Sequence, residues 1–121
     1  MKTVDLTYGG KDYKLCLNLS AMMQICEKYG DFETLLDVIG KGTMAESMSA
    51  FMFLASALAN GGAEYEAMFG REANRASYEE FMALGDINDF KAVKVKVMLA
   101  MQGNDPAVKV DSSKNAVATV E

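Results

Sequence analysis

The sequence predicts a mainly helical α+β domain: an N-terminal two-stranded β-hairpin packed on about five α-helices, with a flexible C-terminal tail. Three observations predict it. Residues 4–15 alternate apolar and polar about Gly9-Gly10, the period of a strand. From about residue 20 to residue 102, apolar residues recur at helical spacing between capping residues and glycines. From Gly103 onward there is no aromatic residue, leucine, isoleucine or methionine. A chain of 121 residues suits one domain and not comfortably two. The expected division is a globular domain over 1–102 and a flexible tail over 103–121.

The hairpin is expected over 3–17. A two-residue Gly-Gly loop suits the tight turns that hairpins prefer. It makes opposed residues sum to 19, so that Val4 faces Leu15, Leu6 faces Tyr13 and Tyr8 faces Lys11 on an apolar face. On the polar face Thr3 meets Cys16, Asp5 meets Lys14 and Thr7 meets Asp12. A lone hairpin is marginal in water, so its apolar face requires helices to cover it.

The helices follow in order. Asn18 or Ser20 can cap the first, whose stripe is Met22, Ile25, Cys26 and Tyr29, with Gly30 as its stop. Asp31 can cap a second, with Phe32, Leu35, Leu36 and Ile39 on one side and Gly40-Lys41-Gly42 ending it. Thr43 and Glu46 have capping-box spacing and open a third helix with Met44, Met48, Phe51, Ala55 and Leu58 in one stripe. That helix is apolar almost all round, which predicts the central position in the fold. Asn60-Gly61-Gly62 is expected to end it, with a short helical piece over 63–69 and a charged loop over 70–76. Ser77 and Glu80 repeat the capping box before Tyr78, Phe81, Met82 and Leu84, and Gly85 ends that helix. Asp86 caps the last, with Ile87, Phe90, Val93, Val97 and Met101 on one side. The alternation from Val93 to Val97 also fits a strand, but the run from Asp86 to Gln102 is too long for an ordinary one.

Composition narrows function more by exclusion than by assignment. The formal net charge is −5, from 17 acids and 12 bases. The densest basic cluster, Lys91, Lys94 and Lys96, is too thin for a nucleic-acid face. No apolar run reaches the length of a membrane span. The chain has no histidine, and Cys16 and Cys26 lack the spacing of a metal pair. No leader-like segment opens it, so the expected state is two reduced thiols in a cytoplasm. No nucleophile elbow or phosphate loop is present. Asp86-Ile87-Asn88-Asp89 lacks the glycine and closing glutamate of a calcium loop and reads as a helix cap. Glu64, Glu66, Glu72, Glu79 and Glu80 read as a solvated face, and Arg71 and Arg75 as partners of nearby glutamates. The expectation is a protein without catalytic residues, metal or cofactor. Ten methionines suit either irregular core packing or an adaptable binding surface.

Several stretches resemble the tail assembly chaperones of long-tailed bacteriophages. The run Tyr13-Lys14-Leu15-Cys16-Leu17-Asn18-Leu19-Ser20-Ala21 looks like the family's strand entering its first helix, and Ile25-Cys26-Glu27-Lys28-Tyr29-Gly30-Asp31 looks like that helix's end. Leu58-Ala59-Asn60-Gly61-Gly62-Ala63-Glu64-Tyr65 is similar to the family's helix end followed by Gly-Ala-Glu-Tyr. Ser77-Tyr78-Glu79-Glu80-Phe81 and Gly85-Asp86-Ile87 follow in the expected order. The resemblance covers about residues 4–102. It implies a phage or prophage protein of the bacterial cytoplasm that binds the tape-measure protein, keeps its apolar helices soluble, helps recruit tail tube subunits and is absent from the mature virion. Many members also exist as a longer frameshifted product, which would extend from the tail beyond Gly103.

A chaperone of apolar helices needs an adaptable apolar surface, and Met44, Met48, Phe51 and Met52, with Tyr65 and Phe69, are the candidate contacts. The hairpin's edges are compatible with self-association. Competing readings are a head-tail or tail adaptor retained in the virion and a prophage regulator that binds a host protein.

Overall fold

In the computed structural model, residues 3–102 are described. The expected flexible tail, 103–121, lies outside them. Strands β1 (Val4–Tyr8) and β2 (Lys11–Leu15) form an antiparallel hairpin. Its register is Val4↔Leu15, Asp5↔Lys14, Leu6↔Tyr13, Thr7↔Asp12 and Tyr8↔Lys11, as the Gly-Gly turn predicts. Gly9 and Gly10 have φ of 58° and 80°, and two consecutive positive φ values are what a tight turn matching strand twist requires. Lys14 Nζ lies 2.6 Å from Asp5 Oδ1, and Thr7 donates to Asp12 at 2.7 Å. Cys16 departs from expectation. It follows β2 rather than extending the polar face, and it is buried.

Five helices follow: α1 (Leu19–Tyr29), α2 (Phe32–Lys41), α3 (Met44–Ala67), α4 (Tyr78–Leu84) and α5 (Ile87–Gln102). Their caps are those written in the sequence. Asn18 accepts from the Ala21 amide and Asp31 from the Thr34 amide. Thr43 with Glu46, and Ser77 with Glu80, form complete capping boxes. Asp86 and Asp89 accept from each other's backbone amides at 2.9 and 3.0 Å, which is the helix-cap reading of that motif. The run from Val93 to Val97 is helical.

Helix α3 is the hub, packing against β2, α1, α2, α4 and α5. It does not end at Asn60-Gly61-Gly62 but runs on to Ala67. The two glycines are there for proximity rather than termination. A Cβ on Gly62 would overlap the Lys14 carbonyl, and one on Gly61 would lie 2.6 Å from the Cys16 carbonyl oxygen. The chain leaving β2 crosses α3 at this point. There the Cys16 amide donates to the Leu58 carbonyl at 3.0 Å, and Asn18 Nδ2 donates to the Gly61 carbonyl at 3.0 Å. A carbonyl oxygen has two lone pairs, so a helical one accepts a bond from outside its own helix without losing its own.

The hairpin's apolar face is closed by α3, α4 and α5. The Tyr8 hydroxyl donates to the Phe81 carbonyl and also reaches Met52 Sδ. The Tyr8 and Phe81 rings meet edge-on at 4.7 Å, and Tyr13 lies 5.3 Å from the same ring. Burial raises the pKa of the Tyr8 phenol, which stays neutral and donating. Ser56 Oγ donates to the Ala76 carbonyl at 2.8 Å and fixes the loop before α4.

These contacts generate two expectations. Gly62→Ala should lower the urea midpoint by the equivalent of about 1–3 kcal/mol, because overpacking against backbone outweighs the gain in helix propensity. Gly40→Ala, in α2 with open space around it, should be neutral or stabilise by up to about 1 kcal/mol. Equal effects at both positions would remove the close-approach explanation. Tyr8→Phe should cost about 1–3 kcal/mol by leaving a buried carbonyl without its donor. Chemical denaturation followed by circular dichroism reads all three.

Candidate partner-binding surface

The six candidate contacts do not form one surface. Phe51 and Met52 belong to the core, at 3% and 4% exposure. Phe51 meets Phe90 edge-on at 6.1 Å, and Met52 faces the Tyr8 hydroxyl. The reason is the position of α3: a helix surrounded by partners turns most of its stripe inward. Met48 is partly buried against the core. Met44 is exposed at the start of α3 and Phe69 just beyond its end. A 24-residue helix is about 36 Å long, so these two are far apart. Tyr65 and Phe69 are brought together, with ring centroids 5.1 Å apart and the Arg71 guanidinium over the Phe69 ring.

The exposed apolar residues gather elsewhere. On α1, Leu19 and Met23 sit one turn apart and face outward. Past the end of α3, Met68 stands beside Phe69. On α5, the buried side is Phe90, Val93, Val97 and Ala100, while Val95, Met98 and Leu99 are 59%, 39% and 48% exposed. Val95, Met98 and Leu99 have i, i+3, i+4 spacing, so they form one ridge on the side away from the core. Sequence reading placed Phe90, Val93 and Val97 on one side, as the structure does, but did not single out what lies opposite them. A second apolar period, offset from the first, was the available signal. The methionines divide accordingly. Met23, Met44, Met68, Met82 and Met98 are exposed, whereas Met22, Met48, Met52 and Met101 are buried or partly so.

Two depressions accompany these surfaces. A polar cleft of about 540 Å³ lies between the hairpin's polar face and residues 72–74, lined by Asp5, Asp12, Lys14, Glu72 and Asn74 among others. Asn74 donates to the Asp12 carbonyl at 2.7 Å and ties the loop to β2. A shallower groove of about 400 Å³ is bordered by Lys28, Tyr29, Val38, Ala45, Glu46 and Ser49. Among the described residues, no group of three or more cysteines and carboxylates is placed to hold a metal ion. Among them, too, no helix is long and apolar enough to cross a membrane.

The charged groups serve the fold. Glu66 was expected on a solvated face, yet it is buried at 6% exposure, and Arg71 donates to both its oxygens at 2.7 and 3.1 Å. The pair bends the chain back after α3. Arg75 lies 3.9 Å from Glu64. The Arg71 hydrogen bonds hold the Glu66 carboxyl below its usual pKa, against the opposing effect of burial. Backbone donors at Thr34 and Ser77 likewise lower Asp31 and Glu80. Burial raises the Cys16 thiol, the opposite of what a reactive thiolate needs. Neither cysteine is in a disulfide.

The sign of the acid dependence follows. A carboxyl with a lowered folded-state pKa stabilises above its unfolded value, about 4.3 for glutamate, and loses that contribution as pH falls through the folded value. The urea midpoint should be nearly flat from about pH 7 to about pH 5 and fall below about pH 4.5. Glu66→Gln should lower the midpoint at neutral pH and make the acid fall shallower. A variant whose acid limb matches the parent would show that the Arg71 pair contributes nothing.

No known protein family, curated protein or solved structure matches the chain. A functional reading therefore stands on the exposed helix faces and on the residues that resemble tail assembly chaperones.

Proposed function

We propose that the chain is a tail assembly chaperone of a long-tailed phage or prophage. It acts in the host cytoplasm, binds the apolar helices of the tape-measure protein and helps bring tail tube subunits to them. One observation carries the reading on the physical side. An acidic, histidine-free body presents several separate apolar helix faces, and five of its methionines stand exposed among or beside them. Methionine is flexible and polarizable, so such faces adapt to helices of varied sequence. Net negative charge keeps a protein with exposed apolar ridges from associating with itself nonspecifically. Nothing in this function requires catalytic residues, a metal or a cofactor.

Co-expression with the tape-measure protein of the same phage tests the reading. The expected outcome is a soluble complex that copurifies through an affinity step and a sizing column. A tape-measure protein that stays insoluble and unbound sinks it. Mass spectrometry of purified virions supplies the second arm, with the chain expected to be absent. Stoichiometric presence would replace the chaperone with an adaptor of the finished particle.

A further inference from the structure

We propose that the outer ridge of α5 is a docking surface for an amphipathic α-helix whose apolar stripe is flanked by aspartate or glutamate. The ridge is Val95, Met98 and Leu99, all exposed, on a helix whose opposite side is locked into the core. Its charge points to the partner. From Lys91 to Gln102 the helix carries three lysines and no acid, on a chain whose net charge is −5. At 100° per residue, Lys94 falls on one flank of the ridge and Lys96 on the other, and Lys91 lies one turn before Val95. Among the described residues, none of the three has a carboxylate within ion-pair distance. Lys94 is held in place over the Phe51 and Phe90 rings, at 5.9 and 5.6 Å.

An apolar seam with lysines on both sides is half of a helix-pairing code. The complementary half has carboxylates on both sides, and a second copy of α5 would set lysine against lysine. Two other exposed apolar pairs, Leu19 with Met23 and Met68 with Phe69, lack such flanks. The inference holds for any partner of this chemistry, and it fails or stands independently of the tape-measure experiment.

The test uses the full chain and a fluorescein-labelled peptide of three heptads with leucine in the seam and glutamate on both flanks. Glutamate repulsion keeps this peptide from pairing with itself. Fluorescence anisotropy should show saturable binding that weakens about tenfold or more in Val95→Glu/Leu99→Glu, as apolar contact is lost. Binding should also weaken about fivefold or more in Lys91→Glu/Lys96→Glu and on raising salt, as charge pairing is lost. All four positions lie outside the core, and circular dichroism checks that the variants fold. The same peptide with lysine flanks should not bind. No binding, equal binding of both peptides, or affinity unchanged in the variants overturns the proposal. So does ridge-dependent dimerisation of the chain alone, or ridge-dependent binding to vesicles of phosphatidylglycerol with none to the peptide.

Discussion

The chain leaving β2 passes over α3 at backbone-to-backbone distance, and the placing of the hairpin on the helices depends on that crossing. The Cys16 amide bonds the Leu58 carbonyl, Asn18 bonds the Gly61 carbonyl, and Gly61 and Gly62 leave no side chain in between. Asn18 has a second task, because its Oδ1 caps α1 by accepting from Ala21. One side chain thus sets where the hairpin meets the central helix and where the next helix begins. With β2 fixed on α3, Leu6, Leu15 and the Tyr8 ring can only be covered from the α4 and α5 side, where Phe81, Phe90 and Val93 supply the apolar area. Each such buried side chain contributes roughly 1.5–3 kcal/mol relative to exposure.

The features legible in the sequence were the local ones. The hairpin register follows from a turn length and a period of two, and the caps follow from a polar side chain and its neighbours two or three residues on. The misreadings concern contacts that lie beyond the reach of a turn or a cap. Gly61-Gly62 carries the same signal whether a helix stops or a strand crosses it, and only the partner strand distinguishes the two. Glu66 looks like its exposed neighbours until Arg71 folds back onto it. Cys16 continues the alternation of β2 on paper, but the crossing draws it into the core. The site followed the same rule. Phe51 and Met52, named as candidate contacts on a helix expected to be central, lie in the core, since burial depends on how many neighbours a helix acquires. The α5 ridge was written in Val95, Met98 and Leu99, but the stripe through Phe90, Val93 and Val97, read correctly as one side, already accounted for the helix's packing.

The resulting surface is uneven in a way that bears on function. The polar face of the hairpin, with its Asp5–Lys14 pair and the Thr7–Asp12 bond, satisfies itself. The helical side does not, because α1 and α5 each keep apolar residues in water. Exposed apolar residues scattered singly would be ordinary. Grouped by helical turn, and on α5 bracketed by lysines, they are instead organised features of a molecule whose core is otherwise closed.

Tyr8 gives the fold a temporal order. Its hydroxyl bonds the carbonyl of Phe81, 73 residues later in the chain, and the hairpin's other anchors, at Leu58, Gly61 and Asn74, are also distant. The ribosome therefore makes the hairpin first, and its covering arrives last. At synthesis rates of about 5–20 residues per second, roughly 4 to 15 s separate Tyr8 from the residue whose carbonyl accepts its hydrogen bond. Through that interval a two-stranded hairpin, marginal by itself, lacks part of the cover of its apolar face, and before α3 emerges it lacks all of it. Before α3 emerges, the native contacts available to it are the turn, the strand ladder and the cross-strand pairs, Asp5–Lys14 and Thr7–Asp12 among them. The polar face that contributes little to the finished core thus helps hold the register of the nascent strand pair.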